Sequence, residues 1–408
     1  MSEGLPATLL VRGAGAVVTC DPARGAAPGA FASGCVVADG PVVVHVGPEA
    51  EMPRLSPREG FVELDARGTA VVPGFVDAHT HAIWMGSRSD EFARRAAGET
   101  YEEIARGGGG IASTVRATAA ATVDELVAAG ATRLRAMQRA GSTTVEVKSG
   151  YGLELDAELR MLDAAARLGA DPSLPDVVPT WLPLHAVPEG ARADFLDEVV
   201  ARGVAAAASS AVFADAFCET GAFSVDECRR VLLAASTAGL RPRVHADQRS
   251  RGGGALLAAE LGAASADHLE HAADADLRAL AAAGVCAVLL PGAALVLGGP
   301  PPPGRRAVAA GATVALGTDC NPGTCYAESM PLMVALAVAT AGLTPAEALA
   351  AATAGSARSL GLADRGRLAV GMRCDLCILE SPDWIDVAYH LGAGPVRTVV
   401  RAGRVVSG

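Results

Sequence analysis

The chain has no block of basic residues and no apolar run long enough for a membrane span, and its opening residues do not read as a secretion-type leader. Each absence removes a class of function. A formal net charge of -11 over 408 residues leaves no surface of clustered Lys and Arg to displace the counterions of a nucleic acid. A membrane span needs roughly 18 to 20 uncharged apolar residues. The longest candidates, such as "VCAVLLPGAALVLGG", are interrupted, here by Pro291 and Gly292. The opening "MSEGLPATLLVRGAGAVVTC" lacks both a basic region and a small-residue cleavage pattern, so no signal peptide is expected. Nine cysteines, an odd count scattered through a chain too large to need disulfides, point to reduced thiols and a cytoplasmic location.

Half of the residues are hydrophobic, enough for a large domain with a smaller one beside it. Residues 1–70 carry short alternating apolar segments, "LLVRGAGAVVTC" and "CVVADGPVVVHVG", cut by Gly, Pro and Asp in the manner of β-hairpins. "MRCDLCILE" and "VRTVVRAGRVV", within residues 361–408, read as strands that complete the same small β-sandwich domain from the other chain end. Between them, over residues 71–360, strand-like apolar runs alternate with Ala- and Leu-rich helical patterns. This α/β texture predicts eight parallel strands, at 74–81, 143–149, 180–186, 214–219, 241–247, 265–270, 285–291 and 313–319, and hence a (β/α)8 TIM-like barrel. "GPPPPG" reads as a stiff loop after strand seven. "RGGGGI" lacks the Lys-Ser/Thr of a nucleotide loop.

Barrel enzymes take their chemistry from the C-terminal ends of the strands. Here five of the eight histidines fall at such ends: His79 and His81 on strand one, His185 on strand three, His245 on strand five and His268 on strand six. Strand eight ends in Asp319. Alternate side chains on a strand share a face, so His79 and His81 of "PGFVDAHTH" both point inward. With His245 and Asp319 they supply three nitrogens and one oxygen, a donor set for one divalent transition metal with a position left for water. Strand four ends in "FCE" without the Lys that bridges two ions in two-metal sites, which favours a single ion, with Glu219 as a supporting carboxylate. Asp319 is then the expected acid and base, and His268 the group that steers water or steadies a developing oxyanion. His271 is expected to face solvent or the barrel wall, Cys320 and Cys325 are expected to be inert, and Cys374 and Cys377 are expected on opposite strand faces.

The "HTH…HAD…TD" series resembles the amidohydrolase superfamily. The stretches "SRSDEF", "TYEEIARGGGGI", "VEVKSGYGL", "HAVP", "FCETGAFS", "SADHLEH" and "TDCNPG", in this order, are similar to its histidine-degrading imidazolonepropionases. The resemblance implies hydrolysis of the cyclic amide C–N bond of 4-imidazolone-5-propanoate to N-formimidoyl-L-glutamate. It also implies zinc or iron on His79, His81, His245 and Asp319, and a homodimer. Arg88, Tyr151, His185, Gln248, Asn321, Gly323 and Thr324 match the family's substrate contacts, and His185 and Gln248 are also carried as catalytic candidates. Arg88 makes sense on its own terms, as a forked permanent cation for a carboxylate. After "LLPGA" the family carries aromatic residues where this chain reads "ALVLGGPPPPG", so one pocket wall is expected to differ. Two other readings use the same residues: an aminohydrolase of a nucleobase-like ring, and a non-catalytic barrel acting in an assembly.

Overall fold

A computed structural model describes residues 4–24, 27–188 and 190–408; the first three residues of the N-terminal segment read above lie outside it. Eight parallel strands follow one another in chain order around one sheet. They are Phe75–Asp77, Ser142–Lys148, Asp176–Leu184, Phe213–Cys218, Arg241–Ala246, Ser265–His268, Cys286–Leu289 and Val314–Leu316, each within or overlapping an expected window. Helices follow each strand, for example Leu155–Gly169 after the second and Val225–Thr237 after the fourth. No helix among the described residues is long and apolar enough to cross a membrane.

Both chain ends build a second, mixed sheet of eight strands. The long strand Leu5–Val18 organises it: its first half pairs with Leu55–Asp65, its second with Ala70–Pro73, and Ala30–Asp39 runs antiparallel along it. Leu376–Leu379 pairs with Ala70–Pro73 and so ties the C-terminal end to the N-terminal one. The sheet curls around a shared apolar core in which Leu9, Val36, Val71, Ile378 and Val400 meet. Cys374 packs into that core while Cys377 packs toward Phe75 on the barrel side, so the two thiols face apart as expected. All nine cysteines are free and buried.

The barrel wall sorts its residues by alternation. Val145, Val147, Ala214, Ala216, Val244, Ala246 and Ala266 join the apolar cores between strands and helices. The intervening positions carry Glu146, Lys148, Asp215, Arg243 and Asp267, each fully buried. A charged side chain with no access to water persists only when paired, so these five point to a built network.

Strand one is shorter than expected, ending at Asp77; beyond it the chain pairs with strand eight, while Thr80 O still accepts from Lys148 N of strand two at 3.0 Å. Ala78 N donates to Leu316 O (3.2 Å), Asp319 N to His79 O (3.0 Å) and His81 N to Cys320 O (3.0 Å), which closes the barrel. Asp77 clamps the same seam by accepting from Thr318 N (2.9 Å) and Thr318 Oγ1 (2.7 Å). Gly317 sits where a Cβ would lie 2.7 Å from His79 Cβ and 2.8 Å from His79 N, so the close approach requires glycine. Gly317→Ala is expected to force the two strands apart, costing about 1–3 kcal/mol of stability in denaturant titration and misplacing His79. An unchanged unfolding midpoint would show that the seam has slack.

Candidate active site

The C-terminal ends of the barrel strands open on a cavity of about 470 Å³, a volume suited to a small molecule. His81, Arg88, Tyr151, His185, His245, Gln248, His268, Asp319, Asn321, Gly323 and Thr324 all line it. His79 lies just beneath them, fully buried. Every residue expected from the sequence is therefore in or under one pocket.

At the pocket floor, ligand atoms of His79, His81 and Asp319 lie within 4.8 Å of one another, and so do those of His79, His245 and His268. The two groups share His79, which places all five residues about one centre. The Nε2 atoms of His79 and His81 each stand 3.6 Å from Asp319 Oδ1. Carboxylates hold the far side of two of these rings: His79 Nδ1 meets Asp267 Oδ2 at 2.7 Å, and His245 Nδ1 faces Asp215 Oδ2 at 3.0 Å. The Nε2 atoms of His79 and His245 are buried and make no hydrogen bond. Two imidazoles backed by carboxylates with idle nitrogens aimed at a common point form a donor set that fits a divalent transition metal. His268 joins this cluster at ligand distance, beyond the four-residue set read from the strand ends.

The remaining groups have distinct protonation states. Burial raises the Asp319 carboxyl above its ordinary range, with the charges of His268 and His245 opposing. Burial works against a charged His268, yet Glu270, whose Oε1 lies 3.7 Å from its Nδ1, raises the ring above its ordinary value. His185 is pushed down to about 3 by burial and then by His245. Its Nδ1 lies 2.8 Å from Gly150 O, and a carbonyl can only accept, so Nδ1 carries the proton and Nε2 a lone pair. The ring stacks on His81 with centroids 4.7 Å apart, and Tyr151 lies 5.1 Å away, its phenol kept protonated by burial.

Three cations line the pocket: Arg88 and Arg95 together against Gly323, and Arg249 on the loop after strand five. Arg88 donates through Nε to Glu91 (2.8 Å), and its guanidinium lies against Gly323, where any Cβ would meet it at 2.2 Å. Arg95 Nη2 donates to Gly323 O at 3.1 Å. Asn321 folds the turn beneath them, accepting from Gly323 N and Thr324 N, both at 2.8 Å, and donating to Asp319 O at 2.7 Å. Its amide thus shapes the turn while the residue lines the pocket. Leu297, from the stretch after "LLPGA", also lines the pocket.

Several expectations away from the centre resolve in the same way. Glu219 accepts from Arg249 N (2.8 Å) and from the Ser250 hydroxyl, so it holds the loop that carries Gln248. The "RGGGGI" loop is bound by a carboxylate, with Gly110 N donating to Glu91 Oε1 at 3.0 Å, which leaves no place for a phosphate. His271 is exposed, and burial pushes the Cys325 and Cys320 thiols above their ordinary range. Sequence reading missed Arg95, Phe217, Arg249, Asp215 and Asp267. The last two left a signal, since a carboxylate at an inward position of a parallel strand covered on both faces must serve some partner.

The lowered His185 pKa has a defined consequence. The ring is neutral at every pH above about 3, whereas in the unfolded chain it gains a proton near 6.5, so the folded state loses stability as pH falls below ~6.5. Nitrogen-15 NMR of histidine-labelled protein is expected to show His185 as the neutral Nδ1–H tautomer at pH 6. A doubly protonated ring at that pH would refute the assignment.

Comparison with known proteins agrees with this geometry. A family model described as "Amidohydrolase family" matches residues 70–406. An imidazolonepropionase of Deinococcus deserti is 51% identical over 83% of this chain and 84% of its own length. Those of Symbiobacterium thermophilum (46% identical, 98% of this chain, 97% of the relative) and Mycolicibacterium smegmatis (44%, 98% and 98%) match nearly end to end. Among solved structures, an adenosine deaminase from Xanthomonas campestris with bound zinc superposes with a TM-score of 0.72 at 22% identity, covering 98% of this chain and 93% of that one. A 5-methylcytosine deaminase from Klebsiella pneumoniae reaches 0.74 at 18%, covering 97% and 96%. These two likenesses are of fold. The model match and the long, high-identity alignments show that the chain belongs to the amidohydrolase family, alongside the imidazolonepropionases.

Proposed function

We propose that the chain hydrolyses the cyclic amide C–N bond of 4-imidazolone-5-propanoate, giving N-formimidoyl-L-glutamate. The observation that carries this reading is the juxtaposition, in one cavity, of a His/Asp donor set on the floor and a wall of arginines above it. The relatives' shared name points to the same reaction. His79, His81, His245 and Asp319 would hold one zinc or iron ion, with His268 close enough to share it. When bound, such an ion supplies a Lewis acid and lowers the pKa of water to roughly 7.

The chain's own residues do the rest. Asp319 as the carboxylate, made more basic by burial, accepts a proton from the attacking water and returns it to the departing ring nitrogen. His268, whose hold on a proton Glu270 strengthens, donates toward the oxygen on which negative charge develops. His185 presents an unprotonated Nε2 and so accepts from a ring N–H, while Tyr151 donates from its phenol. Gln248, on the loop held by Glu219, offers an amide to the polar edge of the ring. Arg88 and Arg95 take the propanoate carboxylate at the far end, a cationic wall that favours an acidic substrate over a neutral nucleobase.

Purified protein incubated with freshly prepared imidazolone propanoate is expected to remove the ring's ultraviolet absorption faster than it decays spontaneously, and equal rates would defeat the assignment. Asp319→Asn should retain the fold and lose about 10²–10⁴ in kcat. Arg88→Ala removes a charge-assisted contact made alike in ground and transition states. Its KM should therefore rise about tenfold or more with kcat little changed, and an unaltered KM would place the carboxylate elsewhere.

A further inference from the structure

The 34 basic residues of this chain include a single lysine, Lys148, and it is fully buried at the end of the second barrel strand. Nothing in the reaction above uses it. Its Nζ donates to Glu146 Oε1 at 2.8 Å and to Asp215 Oδ2 at 2.7 Å, and Asp267 Oδ2 lies 3.7 Å away. An ammonium has three N–H donors, and here they face three carboxylates from the second, fourth and sixth strands.

Each of those carboxylates leads to the donor set. Asp215 faces His245 Nδ1, Asp267 holds His79 Nδ1, and Glu146 Oε2 accepts from Thr80 N at 3.1 Å, between His79 and His81. Three carboxylates converging in a fully buried space repel one another, and Arg243 forms an ion pair with Asp267 among them, at 3.1 Å. Without a cation at their centre, Asp215 and Asp267 would turn away from the imidazoles they orient.

We infer that Lys148 is the positioning residue of the metal site, one ammonium that fixes His79, His245 and the His79–His81 segment through three separate carboxylates. It touches neither ion nor substrate. Its effect is on how tightly the donor set grips a cation, and the inference rests on the metal site proposed above.

Two measurements test it. Zinc affinity of the metal-free chain, read by competition with a chromogenic chelator, is expected to fall 10–100-fold in Lys148→Met, with the helical content and unfolding cooperativity of the parent retained. A folded variant whose affinity stays within twofold of the parent overturns the inference, because a merely structural lysine would cost stability and leave affinity unchanged. If Lys148→Met fails to fold, the parent protein decides the question alone. As the chain has one lysine, tag-free protein labelled with nitrogen-15 lysine gives one side-chain ammonium resonance. That signal should be protected from exchange, should shift on zinc addition and should broaden on cobalt(II) addition. A resonance that ignores both ions refutes the placement. If the parent binds neither ion, the metal site itself falls and the inference falls with it, an outcome distinct from parent binding with an unaffected variant.

Discussion

Where the last barrel strand meets the first, three backbone hydrogen bonds and the Asp77 clamp lock residues 78–81 against 316–320, and the donor set exists only because they do. His79 and Asp319 are far apart in the chain, yet Asp319 N donates to His79 O, so closing the barrel and assembling the site are one event. Local strain sits at two of the strand ends. Asp319 has φ +50° and His268 φ +81°, values that non-glycine residues seldom adopt and that surrounding structure must hold. Both lie where a strand end must turn its side chain into the cavity instead of along the wall. A ligand that bridges His79 and Asp319 binds only the closed form, and by mass action would stabilise it.

Below that seam the barrel is filled by charge where small barrels are usually filled by branched apolar side chains. Glu146, Asp215 and Asp267 oppose Lys148 and Arg243. A buried ion pair is a poor source of stability compared with a packed apolar core, so such a network is retained for what it specifies. Here it specifies direction. With a carboxylate on the Nδ1 side of His79 and His245, the Nε2 lone pairs can only point upward into the site.

Much of this was legible in the amino-acid order. The eight strand windows, the inward pairing of His79 and His81, and the convergence of strand-end histidines with Asp319 follow from period-two alternation and the polarity of parallel barrels. What was not legible depended on contacts between distant segments. Strand one was drawn too long because its last residues look like strand but pair across the seam. Arg95 reads as one more base in "RSDEFARR" until its guanidinium reaches Gly323 O. The roles of Asp215 and Asp267 required knowing which histidine stands opposite, a matter of register that no local pattern encodes.

The site's two cationic regions differ in what remains available to a ligand. On the floor, Lys148 and Arg243 are enclosed by carboxylates and carbonyls, so their charge is answered within the protein and acts on the imidazoles. On the wall, Arg88 makes its single hydrogen bond among the described residues through Nε, and Arg95 makes its own to a backbone carbonyl, which carries no net charge to cancel it. Glu91 answers one wall charge and leaves the other in excess, within a cavity whose low dielectric strengthens it. An anionic group entering the pocket is therefore drawn to the rim, where Arg88 and Arg95 face it. A molecule with a carboxylate at one end and a polar ring at the other has one favourable orientation, ring down over the histidines. Substrate polarity and catalytic placement thus follow from the same separation of charge.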